Sequence, residues 1–163
     1  TQREAKAKYG EALFQGLDDK DRHAYETLHL PLTEEWKEFD EQVQALAKIT
    51  VDSLNVNLLS RESGQKIDGS SIKGSIDLLG VYLSGMEVKE NIKEEIIHAL
   101  HAVQTIRSTG TAHRKGSNFN KTLQRFQLDN LSNREKVKKL IKDLTRALSL
   151  MAEAMRQIET SEG

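Results

Sequence analysis

The sequence predicts an all-α fold, an antiparallel bundle of about five or six helices, on three observations. Apolar residues recur at three- and four-residue spacing through most of the chain, the period of one helical face. A single proline interrupts 163 residues. The 37% apolar content is rich in Leu, Ile, Val and Ala, with aromatics at only 5%, which suits helices packed along narrow apolar stripes.

The elements follow in order. Tyr9, Leu13 and Leu17 line one face of a first helix, and a short second helix covers Asp21 to His29 until Pro31 stops it. Thr33 is placed to cap a long third helix, because its hydroxyl can accept from an amide of the first turn. Trp36, Phe39, Val43, Leu46, Thr50, Leu54 and Leu58 carry that helix to about Ser60. A polar loop, "RESGQKIDGSS", leads to Ser70 or Ser71 as cap of a helix with Ile72, Ile76, Leu79 and Leu83 inward, ending at Gly85. The next helix runs from near Val88 through Ile92, Ile96, Leu100, Val103 and Ile106 to Gly110, a residue suited to a left-handed C-terminal turn. The last covers Asn133 to Ile158, with Met151 and Met155 as core filler. Between them, Thr111 to Ser132 reads as one long irregular connection, a length that marks functional or mobile loops.

Length fits one domain with one sizeable core: a single unit over 1–163, with an N-terminal helical extension over 1–32 and a bundle core over 33–160. Thr1 in place of Met fits a domain excised from a longer protein. The formal net charge of -1 excludes a globally basic nucleic-acid binder but leaves room for a locally basic face. Zero cysteines exclude disulfides and Cys-ligated metals, and fit a reducing compartment. No apolar run approaches the ~18 residues of a membrane span, so no membrane partner and a cytoplasmic location are expected.

One charge feature stands out. From Glu95 to Asp129 no acidic residue intervenes, although Asp and Glu supply 25 of 163 residues. The window holds Arg107, Arg114, Lys115, Lys121 and Arg125 with His98, His101 and His113. A phosphate backbone is the natural ligand of such a surface, with Phe119 or Phe126 offering a stacking surface for an unpaired base. The plainer reading is a basic loop that pairs with acids of neighbouring helices. At 100° per residue, Ile92, Ile96, Leu100 and Val103 fall within an arc of about 80° that also contains Arg107. This guanidinium therefore faces the core side and needs a partner or a cavity. His113 follows past the Gly110 turn and can come back toward it. Arginine holds phosphate bidentately and histidine moves a proton near neutral pH, the minimum equipment for metal-free RNA cleavage by the ribose 2'-hydroxyl. The segment "RKGSNFNK", including Asn118, supplies a positive, hydrogen-bonding flank.

The run "RSTGTAH", at the end of a hydrophobic bundle helix and ahead of a long closing helix, resembles the R-X(4-6)-H motif of HEPN domains, with five residues between Arg107 and His113. The resemblance extends from Glu34 to Ile158. It implies an all-α domain that dimerises and sets the motifs of two protomers in a composite cleft. Many such domains are metal- and cofactor-independent endoribonucleases of toxin-antitoxin, phage-defence or RNA-processing systems, and others are non-catalytic binding modules. Carried over, the motif makes Arg107 the ligand of the scissile phosphate, His113 the general base or acid and Ser108 the polar residue after the arginine. RNA-cutting members usually carry Asn, Asp or His where Ser108 stands. Lys115 occupies the position at which toxins silenced by a nucleotidyltransferase carry a tyrosine, so modification there is not expected. The implied partners are RNA, a second copy of the chain, and an antitoxin or other domains of a larger protein.

A metalloenzyme is the rival chemistry, since Glu26-x-x-His29 and Glu95-x-x-His98 reproduce the spacing of di-iron carboxylate bundles. His98, however, lies about 160° from the centre of its helix's apolar arc. The first pair abuts Pro31, so no metal ligands are assigned. The second rival is a HEPN-like module that binds or dimerises without cutting.

Overall fold

The computed structural model describes residues 12–110 and 116–161. All regular structure among them is helical, apart from one isolated bridge. Seven α-helices follow in order: α1 His23–Glu26, α2 Trp36–Ile49, α3 Val56–Ser63, α4 Ser75–Gly85, α5 Glu90–Gly110, α6 Ser117–Arg125 and α7 Asn133–Ser161. A 3₁₀ turn over Asp19–Asp21 precedes α1. The all-α expectation holds. No helix among the described residues is long and apolar enough to cross a membrane.

The expected third helix is divided. At the end of α2, Thr50 turns its hydroxyl back onto the Leu46 carbonyl at 2.7 Å, a bond that competes with helix continuation. Asn55 then restarts the chain as α3, its side-chain oxygen accepting from the Leu58 amide at 3.1 Å. The same side chain donates to the Ala12 carbonyl at 3.0 Å. Phe14 forms the isolated antiparallel bridge with Leu54, and the Gln15 amide donates to the Ser53 carbonyl at 2.7 Å. The described end of the expected first helix, residues 12–17, is therefore not helical, and it buries Leu13 and Phe14 instead. Gly64 closes α3 at φ +66, the left-handed geometry that favours glycine.

Side chains other than the expected ones start several helices. Thr33 does not cap α2. Glu38 reaches back over the first turn to accept from the Leu32 amide (2.9 Å), the Thr33 amide (2.9 Å) and the Thr33 hydroxyl (2.6 Å). His29 Nε2 lies 3.1 Å from the same carboxylate, and its Nδ1 lies 2.7 Å from the Thr27 carbonyl. Neither Ser70 nor Ser71 caps α4. Asp68 gathers that loop, accepting from the Ile72 amide at 2.9 Å, the Ser71 hydroxyl at 2.7 Å and the Ser70 amide at 2.8 Å, and these bonds hold its carboxyl well below the usual range. At α7 a capping box forms: the Glu135 amide donates to the Ser132 hydroxyl at 3.2 Å while Glu135 accepts from the Ser132 amide at 2.9 Å.

The connection predicted as irregular contains α6. Phe119, Thr122, Leu123 and Phe126 are buried at helical spacing, enough to seat two and a half turns.

The described residues group into two compact units, one from 12–16, 53–99 and 144–161, the other from 17–52, 100–110 and 116–143. The first buries Leu58, Leu59, Leu78, Leu79, Leu83, Ile96 and Met151. In it α3 packs on α4. The second buries Phe39, Val43, Leu100, Val103, Ile106, Phe119, Leu128 and Val137, and α1 packs on α2.

The Glu38 network gives a pH signature. Bonds from the Thr33 hydroxyl and Leu32 amide pull the Glu38 carboxyl down to about 2. Its contribution to stability is therefore complete above the ordinary value of 4.5 and is lost as pH falls toward 2. His29 is raised above 6.5, first by the Thr27 carbonyl and then by Glu38, so its contribution is complete below 6.5 and is lost as pH rises through the raised value. Following the His29 ring by NMR, titration should centre above 6.5 and move down in Glu38→Gln. An unchanged midpoint in that variant would show that Glu38 has no part in the shift.

Candidate functional site

Arg107 occupies the last turn of α5, with its side chain 22% exposed. The core-facing direction read from its helical position requires a partner, and Asp52 is that partner. Nη1 lies 2.6 Å from Oδ2 and Nη2 lies 2.9 Å from Oδ1, a bidentate pair. Nη2 also donates to Gln104 Oε1 at 2.5 Å. Asp52 sits just past the end of α2, where the helix has broken. The acid that the basic window lacks is thus supplied from 55 residues away in sequence.

This pairing occupies the guanidinium in a particular way. Of its five N–H groups, the end-on pair faces Asp52, and the second hydrogen of Nη2 serves Gln104. The remaining donors, on Nε and Nη1, lie on different edges of the fork. No edge is left with two open donors for a bidentate phosphate, so an anion can be gripped that way only when Asp52 or Gln104 lets go.

Ser108 turns its hydroxyl onto the Thr105 carbonyl of its own helix at 3.0 Å. His113, Arg114 and Lys115 lie outside the described residues, so the geometry of the Arg107–His113 pair does too. Asn118, Lys121 and Arg125 are all exposed on α6. At 100° per residue they fall within an arc of about 60°. Ser117–Arg125 contains no acidic residue, and among the described residues neither Lys121 nor Arg125 has an acidic partner. Arg125 rests over the Phe126 ring, 5.2 Å from its centroid.

The aromatic expectation is corrected. Phe119 and Phe126 are 1% and 4% exposed, so neither can stack on a base. They are the apolar anchors that hold α6 down. The aromatic left at the surface in their neighbourhood is Trp36, 40% exposed, whose ring meets Phe119 at 5.3 Å and Phe39 at 5.6 Å, both nearly perpendicular. The Lys136 ammonium lies over the same indole at 5.3 Å from its centroid. Trp36 also lines an open groove of about 1050 Å³ along α1 and α2, together with Thr27, His29, Asp40, Glu41 and Gly110.

One member of each pair with the di-iron spacing is engaged elsewhere. Glu95 pairs with Arg146, and His29 with Glu38. Among the described residues no three His, Asp or Glu side chains gather as a metal site.

Sequence reasoning missed Asp52, Gln104 and the exposure of Trp36. Gln104 could have been found, since it stands three residues before Arg107 and i,i+3 pairs share a face. Asp52 carried no signal, because the apolar period runs straight across it. The chain matches no family model, no curated protein and no solved structure at a significant level.

A double-mutant cycle on Asp52→Ala and Arg107→Ala, read by urea denaturation, should give a coupling of about 0.5–1 kcal/mol, the scale of a partly exposed pair. Strictly additive losses would mean that the pair contributes nothing in solution.

Proposed function

We propose that this chain is a HEPN-like RNA-binding domain and a metal-independent endoribonuclease that uses Arg107 and His113. The observation that carries the binding half is the exposed stripe Asn118, Lys121 and Arg125 on an acid-free helix. The resemblance of "RSTGTAH" carries the chemistry. In this reading the ribose 2'-oxygen attacks phosphorus and the bond to the 5'-oxygen breaks, leaving a 2',3'-cyclic phosphate and a 5'-hydroxyl. His113 takes the 2'-hydroxyl proton or delivers one to the leaving oxygen, while Arg107 exchanges Asp52 for the phosphate and stabilises the charge that grows on it. Ser108 holds the polar position beside it, and Arg114 and Lys115 extend the basic flank. A second copy of the chain completes the cleft, an antitoxin or further domains restrain it, and the cytoplasm is its compartment.

A second reading, a HEPN-like module that binds RNA without cutting, is favoured by the Arg107–Asp52 pair. A guanidinium held by its own carboxylate and an amide is a structural element unless something displaces them.

Incubation with single-stranded RNA in EDTA separates the two. Catalysis predicts cleavage that survives chelation, leaves 2',3'-cyclic ends, and falls by at least about a hundredfold in Arg107→Ala and His113→Ala. Asp52→Asn, which frees the fork, should raise cleavage. Binding without cleavage, unaffected by Arg107→Ala, would establish the module reading.

Binding itself is tested by salt dependence: Lys121→Ala and Arg125→Ala should each lower the slope of log K against log salt by about 1. Salt-independent or undetectable binding would remove both readings.

A further inference from the structure

Trp36 is a large aromatic residue at the first position of α2, and it is 40% exposed although Phe39, one turn on, is fully buried. Leaving this much indole in water forgoes burial worth roughly 1 kcal/mol or more. Two perpendicular phenyl rings and the Lys136 ammonium fix its orientation, and its open part lines the groove of about 1050 Å³. That is the geometry of a rigid, preset stacking surface.

The surrounding polar groups fit what would stack there. Asp40 and Glu41 line the groove together with Lys37 and Lys48, so its charges are balanced and it offers both acceptors and donors to the edge of a base. Carboxylates do accept hydrogen bonds from the exocyclic amino groups of bases. Phosphates are favoured on α6, which is packed against Trp36 through Phe119 and carries Asn118, Lys121 and Arg125 on its exposed flank. About one helix diameter, ~10 Å, separates the two faces of α6, within reach of a short oligonucleotide. The indole offers its face to a base, and the next helix offers its cations to the backbone.

We infer that the groove beside Trp36 takes an unpaired nucleobase of single-stranded RNA, stacked on the indole, while the phosphates of the same strand lie along Asn118, Lys121 and Arg125. This rests on the RNA-binding reading and adds to it a site for the base and a preference for unpaired over duplex RNA. A base in a duplex is already stacked on its neighbours and cannot enter.

Trp36 is the only tryptophan in the chain, so its fluorescence reports on this groove alone. Titrating the full chain with a single-stranded RNA 12-mer should quench the emission, whereas the same 12-mer annealed to its complement should quench little. Trp36→Leu should weaken single-strand binding by roughly tenfold. Trp36→Phe, which keeps an aromatic face, should recover most of that affinity, and thermal melts of both variants confirm that they fold. If the 12-mer binds with the salt dependence lost in Lys121→Ala and Arg125→Ala, yet emission and affinity are indifferent to Trp36, this inference is overturned and the RNA-binding reading survives. If the 12-mer does not bind at all, both fall. Equal quenching by duplex and single strand would also overturn the base-stacking site.

Discussion

Asn55 fixes the point at which the candidate site becomes possible. Its side chain starts α3 through the Leu58 amide and holds the Ala12 carbonyl, so the helix begun at Trp36 cannot run on to Ser60. In an unbroken helix Asp52 would project about 160° from the centre of the apolar stripe, into solvent. Once the helix has ended at Ile49, the chain carries Asp52 to the last turn of α5, where it closes on Arg107. A local backbone event, driven by one amide side chain and one threonine hydroxyl, thereby decides the electrostatic state of an arginine 55 residues away.

That state bears on what Arg107 can do. A carboxylate and a phosphate ask for the same fork, and the carboxylate is tethered, so it acts at high effective concentration. The pair is only partly buried, at 22% and 44% exposure, so exchange does not strand a charge in an apolar interior. A fully buried pair would be permanent, and a fully exposed one would be worth too little to orient the guanidinium. The intermediate burial suits a group that is held in place and yet exchangeable, which is why one observation serves both the catalytic and the purely binding reading.

Much of this was legible in the residues. α5 and α7 lie where their apolar period puts them, and Gly85 ends α4 as its composition predicts. Those elements are set by one face of a helix, which a single sequence records. The break at Thr50–Asn55 was hidden because Thr50, Leu54 and Leu58 keep the helical period across it, while its causes are bonds to the Leu46 carbonyl and to residues 12–15. α6 was hidden for the opposite reason. Its serine- and asparagine-containing start, just after Gly116, reads as loop, and only the buried set Phe119, Thr122, Leu123 and Phe126 makes it a helix. The same set removed the phenylalanines from the list of stacking surfaces, which amphipathic spacing could have shown beforehand.

The start of α2 links the remaining pieces. Trp36 stands where it does because the turn before it is tied down from both sides: Glu38 collects the Leu32 and Thr33 amides, and Gln42 accepts from the His29 amide at 2.7 Å. Both charged members of that network shift in the direction that favours their charged forms, Glu38 down to about 2 and His29 above 6.5. Between those limits the carboxylate and the imidazolium coexist, each ring nitrogen donating, one to Thr27 and one to Glu38. The groove therefore gains an imidazolium beside its two carboxylates in mildly acidic solution and loses that charge, though not Glu38's hold on the turn, as pH rises. The turn that presents Trp36 is held by backbone amides on the Glu38 carboxylate, so it keeps its shape while the exposed histidine beside it changes charge.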